Sequence, residues 1–248
     1  MKILLIDIET APSVAYVWGL FQENIPLERL ITPGYILCWA AKWYGKDEVM
    51  FNSVNTSSRK DMLKEIYGLL NEADVVMHYY GTKFDIPSLN REFIKFDLKP
   101  PKPHVHLDLL KTVKKQFKLD SYKLAHVLDY LGVGQKPKHS PFSMWIGCIE
   151  GDQDSWQAME DYNKNDVVQL ENLYNKLQGW IPNHPNRGLY LESDNCVCPY
   201  CASDNLVSRG YRRTKTRIYK RFQCKDCGGW SSARLSEKRG DSNILSPT

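Results

Sequence analysis

The chain has 248 residues, 42% of them hydrophobic and 25% charged, and a formal net charge of +4. That is room for one large domain, or one domain and a small module, with the composition of an ordinary globular protein. No apolar run approaches the length of a membrane span. The N-terminal apolar run is cut by Asp7, which excludes a signal peptide. A cytoplasmic location is therefore expected, with the seven cysteines serving as thiols or metal ligands rather than disulfides.

The first element is a strand, Lys2–Thr10. Ile3 to Ile6 is continuously apolar, the pattern of a strand buried on both faces. Asp7 and Glu9 then follow at alternate positions, which on a strand share one face. Two like charges side by side at the end of a buried strand call for a cation between them.

Pro12 to Pro33, with Trp18, Phe21 and Pro26, reads as an irregular excursion. Tyr35–Tyr44 and Glu48–Val54 read as the second and third strands of an antiparallel meander. Ser58 with Asp61 has the spacing of a helix N-cap box. The run Met62, Ile66, Leu69 and Leu70 has helical period. Ala73–Tyr80 is a fourth strand and Val105–Leu110 a fifth. A helix starts at Asp85, with Pro87 in its first turn, where the missing N–H costs nothing. Further helices are expected over Lys123–Leu131 and Trp156–Leu177. Lys111, Lys114, Lys115 and Lys118 have helical spacing and read equally as a solvated face or a nucleic-acid track.

Two further carboxylates occupy telling positions. Asp85 sits where a strand ends, Gly81 permits a turn and a helix begins; alone it reads equally as a helix cap. Tyr162 and Asp166 are four residues apart and adjacent on one helix face. Asp108, on the fifth strand, reads as a structural neighbour of the cluster. His104 and His106 read as ordinary surface or groove histidines, and Cys38 and Cys148 as buried thiols.

Together, Asp7-x-Glu9, Phe84-Asp85 and Tyr162-x-x-x-Asp166 resemble the three motifs of DnaQ-like 3′–5′ exonucleases. The Tyr points to the DEDDy branch; the His branch would need His where Asp161 stands. Leu119 to Gly132 also resembles the proofreading domains of family B DNA polymerases. The resemblance covers about residues 1–180 without a polymerase domain, as in a stand-alone, phage-encoded exonuclease. It departs at Tyr80, where polymerase-like members carry an Asn assigned to substrate contact.

The resemblance implies an α/β fold of the ribonuclease H-like type, a mixed five-stranded sheet flanked by helices. It implies two-metal phosphodiester hydrolysis, with Asp7, Glu9, Asp85 and Asp166 holding two Mg²⁺ or Mn²⁺ ions about 3.5–4 Å apart. Tyr162 would orient the attacking water and Glu9 help position it. The implied substrate is DNA, single-stranded or with a free 3′ end, and the implied associates are replication or recombination proteins. Alternatives are a catalytically weak nucleic-acid-binding or scaffolding protein on a nuclease fold, and an RNase or structure-specific endonuclease.

Residues 181–195 read as a linker. Beyond it, Cys198-x-x-Cys201 and Cys224-x-x-Cys227 stand 22 residues apart, the spacing of a four-cysteine structural zinc site. The module, residues 196–235, resembles a zinc ribbon whose folding draws on one Zn²⁺. Cys196 is a spare thiol beside it. Residues 196–240 carry 11 Lys and Arg against 3 Asp and Glu, while the rest of the chain is net −4. Between the knuckles, Arg212, Arg213, Lys215, Arg217, Lys220 and Arg221 are interleaved with Tyr211, Tyr219 and Phe222. Cations for phosphates and rings for bases suit single-stranded nucleic acid; the other reading gives the rings to the ribbon's own core. Residues 236–248 read as a disordered polar tail.

Overall fold

The computed structural model describes residues 1–21, 24–134, 142–192 and 195–237. The chain divides into two compact units, Lys2–Leu173 and Tyr174–Thr248, the latter joined by Met1.

In chain order the first unit contains β1 (Ile3–Thr10), β2 (Val14–Ala15), β3 (Leu30–Thr32), β4 (Ile36–Trp43) and β5 (Val49–Ser53). Then come α1 (Arg59–Glu72), β6 (Val75–His78), α2 (Asp85–Lys95), β7 (Val105–Asp108) and α3 (Leu109–Gln116). Next are α4 (Leu124–Leu131), α5 (Ser143–Glu150) and α6 (Gln153–Leu177), which runs across the division. Five strands form one mixed sheet in the order β5-β4-β1-β6-β7. The expected meander is its antiparallel half; β6 and β7 add to β1 in parallel. This is the ribonuclease H-like architecture.

β1 lies at the centre, so its apolar run is covered on both sides. Leu4, Ile6 and Ile8 pack with Met62, Leu63, Ile66 and Leu70 of α1 and Leu89 and Phe93 of α2. The other side is covered by Met144 and Cys148 of α5 and Trp156 and Met159 of α6, against Leu37, Cys38 and Ala11. Side-chain alternation therefore separates Asp7 and Glu9 from the face that α1 fills. Ser58 caps α1 as its spacing predicts, accepting the Asp61 N–H at 3.2 Å. A buried ion pair fixes α6 along the sheet: Lys42 Nζ lies 2.7 Å from Glu171 Oε2, and Glu171 also accepts the Gly45 N–H at 2.8 Å. The cost of desolvating both charges offsets much of the attraction in such a pair.

The structure adds order in three places. Inside the excursion, β2 and β3 pair in a two-stranded antiparallel sheet. The lysine run begins on a helix of its own, α3, and α5 is a helix that the sequence reading passed over.

In the second unit, β8 (Leu206–Arg213), β9 (Ile218–Cys224) and β10 (Trp230–Ser232) form a sheet in the order β10-β9-β8. The segment read as a linker is partly built into this unit. Ile181 is buried, and His184 stacks on Tyr174 at 5.7 Å with a 2.8 Å hydrogen bond between ring nitrogen and phenol. Arg187–Tyr190 forms a 3₁₀ turn capped by Asn186. Residues 193–194 of the linker and 238–248 of the tail lie outside the described residues.

Candidate active site

The parallel ladder between β1 and β6 stops at Leu5 and Met77. β1 continues past it for five residues, and those residues carry the acidic pair. Asp7, Glu9 and Asp166 of α6 converge there, with one carboxylate oxygen from each within 4.8 Å of the others. Asp166 is buried; Asp7 and Glu9 are half-buried. The alternation of β1 and the pitch of α6 thus bring together residues almost 160 positions apart.

Asp85 stands beside this trio rather than inside it. Where the β6 ladder has ended, the Ile8 N–H, between Asp7 and Glu9, donates to Asp85 Oδ1 at 3.2 Å. Burial, opposed by the hydrogen bonds it accepts and reinforced by Asp108, raises the Asp85 carboxyl to about 7. A carboxylate so placed gains from a nearby cation. Four hard oxygen donors, two of them buried, fit Mg²⁺ or Mn²⁺ better than a soft metal.

Two supporting residues, Asn163 and Trp145, are not singled out by the sequence. Asn163 is wholly buried, and its amide donates to Asp7 Oδ2 at 2.7 Å. The available signal was a polar residue on the apolar stripe that runs through Met159, Val167 and Leu170. Trp145, on the unexpected α5, meets Tyr162 edge-on, with centroids 5.9 Å apart at 75°. Tyr162 is half-buried against the cluster containing Ala11 and Cys38, and Cys38 pairs directly with Glu9 across the ladder. Burial first, then Glu9 and Asp7, raises the Cys38 thiol far above its usual range, so it stays protonated.

Asp108 also supports the site. Its carboxylate caps α3 through the Leu110 N–H at 3.1 Å, accepts the Tyr80 N–H at 3.0 Å, and accepts the Thr82 hydroxyl. It therefore brackets the turn that delivers Asp85, the structural role expected of it. That turn also contains Tyr80. Tyr80 has φ 70°, a left-handed conformation that Asn tolerates and Tyr resists. Gly81 follows with no room for a side chain, because a Cβ there would lie 2.4 Å from Cγ of His78. His78 is fully buried and reaches His106 at 3.4 Å, and His106 in turn meets His104 at 4.7 Å between centroids. His78 backs the turn, while His106 is exposed and His104 half-buried.

In the second unit, Cys198, Cys201, Cys224 and Cys227 form the other metal-capable group. Cys198 and Cys227 Sγ are 3.5 Å apart, and Cys201 and Cys224 Sγ 3.6 Å. A zinc tetrahedron with bonds of about 2.3 Å has sulfur–sulfur edges of about 3.8 Å, so the thiols fit one Zn²⁺. Cys196 is exposed and outside the group. Of the basic residues, Arg212 and Arg213 lie on β8, Lys220 and Arg221 on β9, and Lys215 and Arg217 in the turn between them. All but Lys220 are exposed.

A family model described as RNase_H superfamily matches residues 33–178. The match spans Asp85, Asp108, Tyr162 and Asp166 and begins after the strand that carries Asp7 and Glu9. Among solved structures, the family B DNA polymerase from the hyperthermophilic archaeon Pyrobaculum calidifontis is similar, with a TM-score of 0.48 and 18% identity. The likeness covers 71% of this chain and 24% of the polymerase, so the chain spans about a quarter of that protein. No curated protein matches.

Proposed function

The chain belongs to the RNase H superfamily, and from that premise we propose that it is a metal-dependent 3′–5′ exonuclease hydrolysing DNA phosphodiester bonds. The observation that carries the reading is the convergence of Asp7, Glu9 and Asp166 within 4.8 Å, with Asp85 joined to the same strand through Ile8. Asp7, Glu9, Asp85 and Asp166 would hold two Mg²⁺ or Mn²⁺, which when bound supply an activated water and offset charge at the scissile phosphate.

The chain's own residues do the positioning. Asn163 fixes one oxygen of Asp7 and so sets the orientation of its carboxylate. The Ile8 N–H and the Asp108-bracketed turn fix Asp85. Tyr162, held edge-on by Trp145, offers its hydroxyl one helical turn from Asp166 to orient the water. The phenol serves here as a hydrogen-bonding group. Glu9, two residues along the strand from Asp7, helps position the same water. The ribbon, folded around one Zn²⁺, would add affinity for the substrate strand.

The test is a digestion course with 5′-labelled single-stranded DNA, duplex DNA and RNA in Mg²⁺, Mn²⁺ or EDTA. A metal-dependent ladder shortening from the 3′ end of DNA is expected. Asp7→Ala and Asp166→Ala should each abolish the ladder while circular dichroism stays native. Full hydrolysis by either variant would overturn the assignment.

A further inference from the structure

One face of the ribbon sheet lies opposite the face to which Cys224 of β9 belongs. Side chains alternate along β9, so Tyr219, Arg221 and Gln223 share a face. Across the ladders, Arg212 stands opposite Tyr219, Ser232 opposite Arg221 and Trp230 opposite Gln223. Directly opposed residues lie on the same side of a sheet. This face therefore carries two aromatic rings and two guanidinium groups in a short row. The Arg221 guanidinium carbon lies 4.7 Å from the centre of the Trp230 ring.

A cavity of about 350 Å³ opens here, lined by Pro199, Tyr200, Arg212, Tyr219, Trp230 and Ser232 among others. That is the small end of the range for ligand sites, suited to one ring system. Its wall is built rather than incidental. Tyr200 donates its hydroxyl to the Trp230 carbonyl at 3.3 Å. The Tyr200 ring lies so close to Gly229 that a Cβ there would meet it at 2.7 Å. Trp230 nevertheless keeps 45% of its surface exposed, so the rings do not close into a private core.

Charge selects the occupant. Among the described residues, no carboxylate lines the cavity. Asp226, on the second knuckle, is engaged by Ser203 at 2.5 Å and Asn205 at 2.7 Å. Aromatic faces flanked by guanidinium groups bind a planar ring attached to an anion, the description of a nucleotide in an unpaired strand.

We propose that this face is a stacking site for one unpaired nucleobase, with Tyr219 and Trp230 as the ring platform and Arg212 taking the adjoining phosphate. The proposal rests on the reading that the chain acts on nucleic acid. It adds Tyr200 and Trp230, which lie outside the basic run, and makes recognition depend on the base and not on charge alone.

The test is anisotropy titration of the full-length, zinc-loaded chain, with Ca²⁺ in place of Mg²⁺, against labelled dT12 and an abasic twelve-mer of equal charge. Wild-type protein should bind dT12 at least tenfold more tightly than the abasic strand. Tyr219→Ala and Trp230→Ala should each weaken dT12 binding about tenfold and hardly alter abasic binding, whereas Trp230→Phe should restore most of the loss. Arg212→Gln should weaken both strands and lower the salt slope by about one. Equal wild-type affinity for the two strands would overturn the proposal. So would unchanged dT12 binding by the double alanine variant with its zinc retained, leaving a protein partner as the occupant. Wild-type hydrolysis of the p-nitrophenyl ester of thymidine monophosphate in Mg²⁺ reports the nuclease reading separately. Base-dependent binding without ester hydrolysis would fail that reading alone; ester hydrolysis without base dependence would fail the stacking site alone.

Discussion

Replacing Gly81 by Ala should damage both stability and hydrolysis. The added Cβ would lie 2.4 Å from Cγ, 2.7 Å from Cβ and 2.8 Å from Nδ1 of His78. His78 has no exposed surface and is confined by His106 at 3.4 Å and Asp108 at 3.9 Å, so the ring cannot swing aside. The turn must retreat by about an ångström to reach ordinary contact at 3.4 Å. Overpacking of this kind costs about 1–3 kcal/mol. The same retreat stretches the 3.2 Å bond between Ile8 and Asp85, and losing a hydrogen bond to a charged group adds about 1.5–3 kcal/mol. A total of about 2.5–6 kcal/mol lowers the melting temperature of a unit this size by about 5–24 °C. Displacing Asp85 by an ångström should lower kcat about a hundredfold. Thermal unfolding by circular dichroism and single-turnover digestion read the two effects. In a His78→Ala background, which provides the missing space, the same substitution should cost less than about 1 kcal/mol. A Gly81→Ala protein that melts within a degree of wild type and digests DNA normally would refute the reasoning.

Other consequences are equally direct. Asn163→Leu should lower kcat about 10–100-fold with little change in KM, because it frees an oxygen of Asp7 without touching substrate; an unchanged kcat would deny Asn163 its positioning role. Tyr80→Asn should stabilise the fold by about 1 kcal/mol, since it relieves a left-handed φ, and a melting temperature that falls would place the reason for Asn elsewhere. Burial foremost, with His106, Lys111 and His104 adding to it against Asp108, lowers His78 to about 4. The unfolded chain then binds a proton near 6.5 that the folded chain refuses. Stability is full above pH 6.5 and falls by up to about 3 kcal/mol as the pH drops to 4. Asp85, raised to about 7, works in the opposite direction in metal-free protein. The difference between wild type and His78→Leu in urea melts therefore isolates the histidine, and a difference independent of pH over that interval would show that His78 titrates normally.

Much was legible in the sequence because it follows from covalent periodicity. Alternation on a strand put Asp7 and Glu9 on one face, the helical repeat put Tyr162 beside Asp166, and the paired Cys-x-x-Cys spacings defined a four-sulfur group. The buried run Ile3–Ile6 announced a central strand, and Ser58 announced the start of α1. Each of these signals spans only a few residues, over which backbone geometry alone fixes direction.

Tertiary structure decided which of these faces meet and what holds them. The bond from Asn163 to Asp7 joins residues 156 positions apart, and no local pattern specifies a partner at that distance. The sequence marked Asp108 as a structural neighbour of the cluster; only β7, by placing it under the turn before α2, decided which donors it accepts. Tyr80 stood out in sequence only as a departure from Asn; the structure adds that its backbone is left-handed, with φ 70°. Trp230, outside the basic run, joined the ribbon's aromatic face only because β10 pairs with β9 in one particular register. Periodicity assigns a residue to a face; burial, and the need to satisfy every buried polar group, chooses its neighbours.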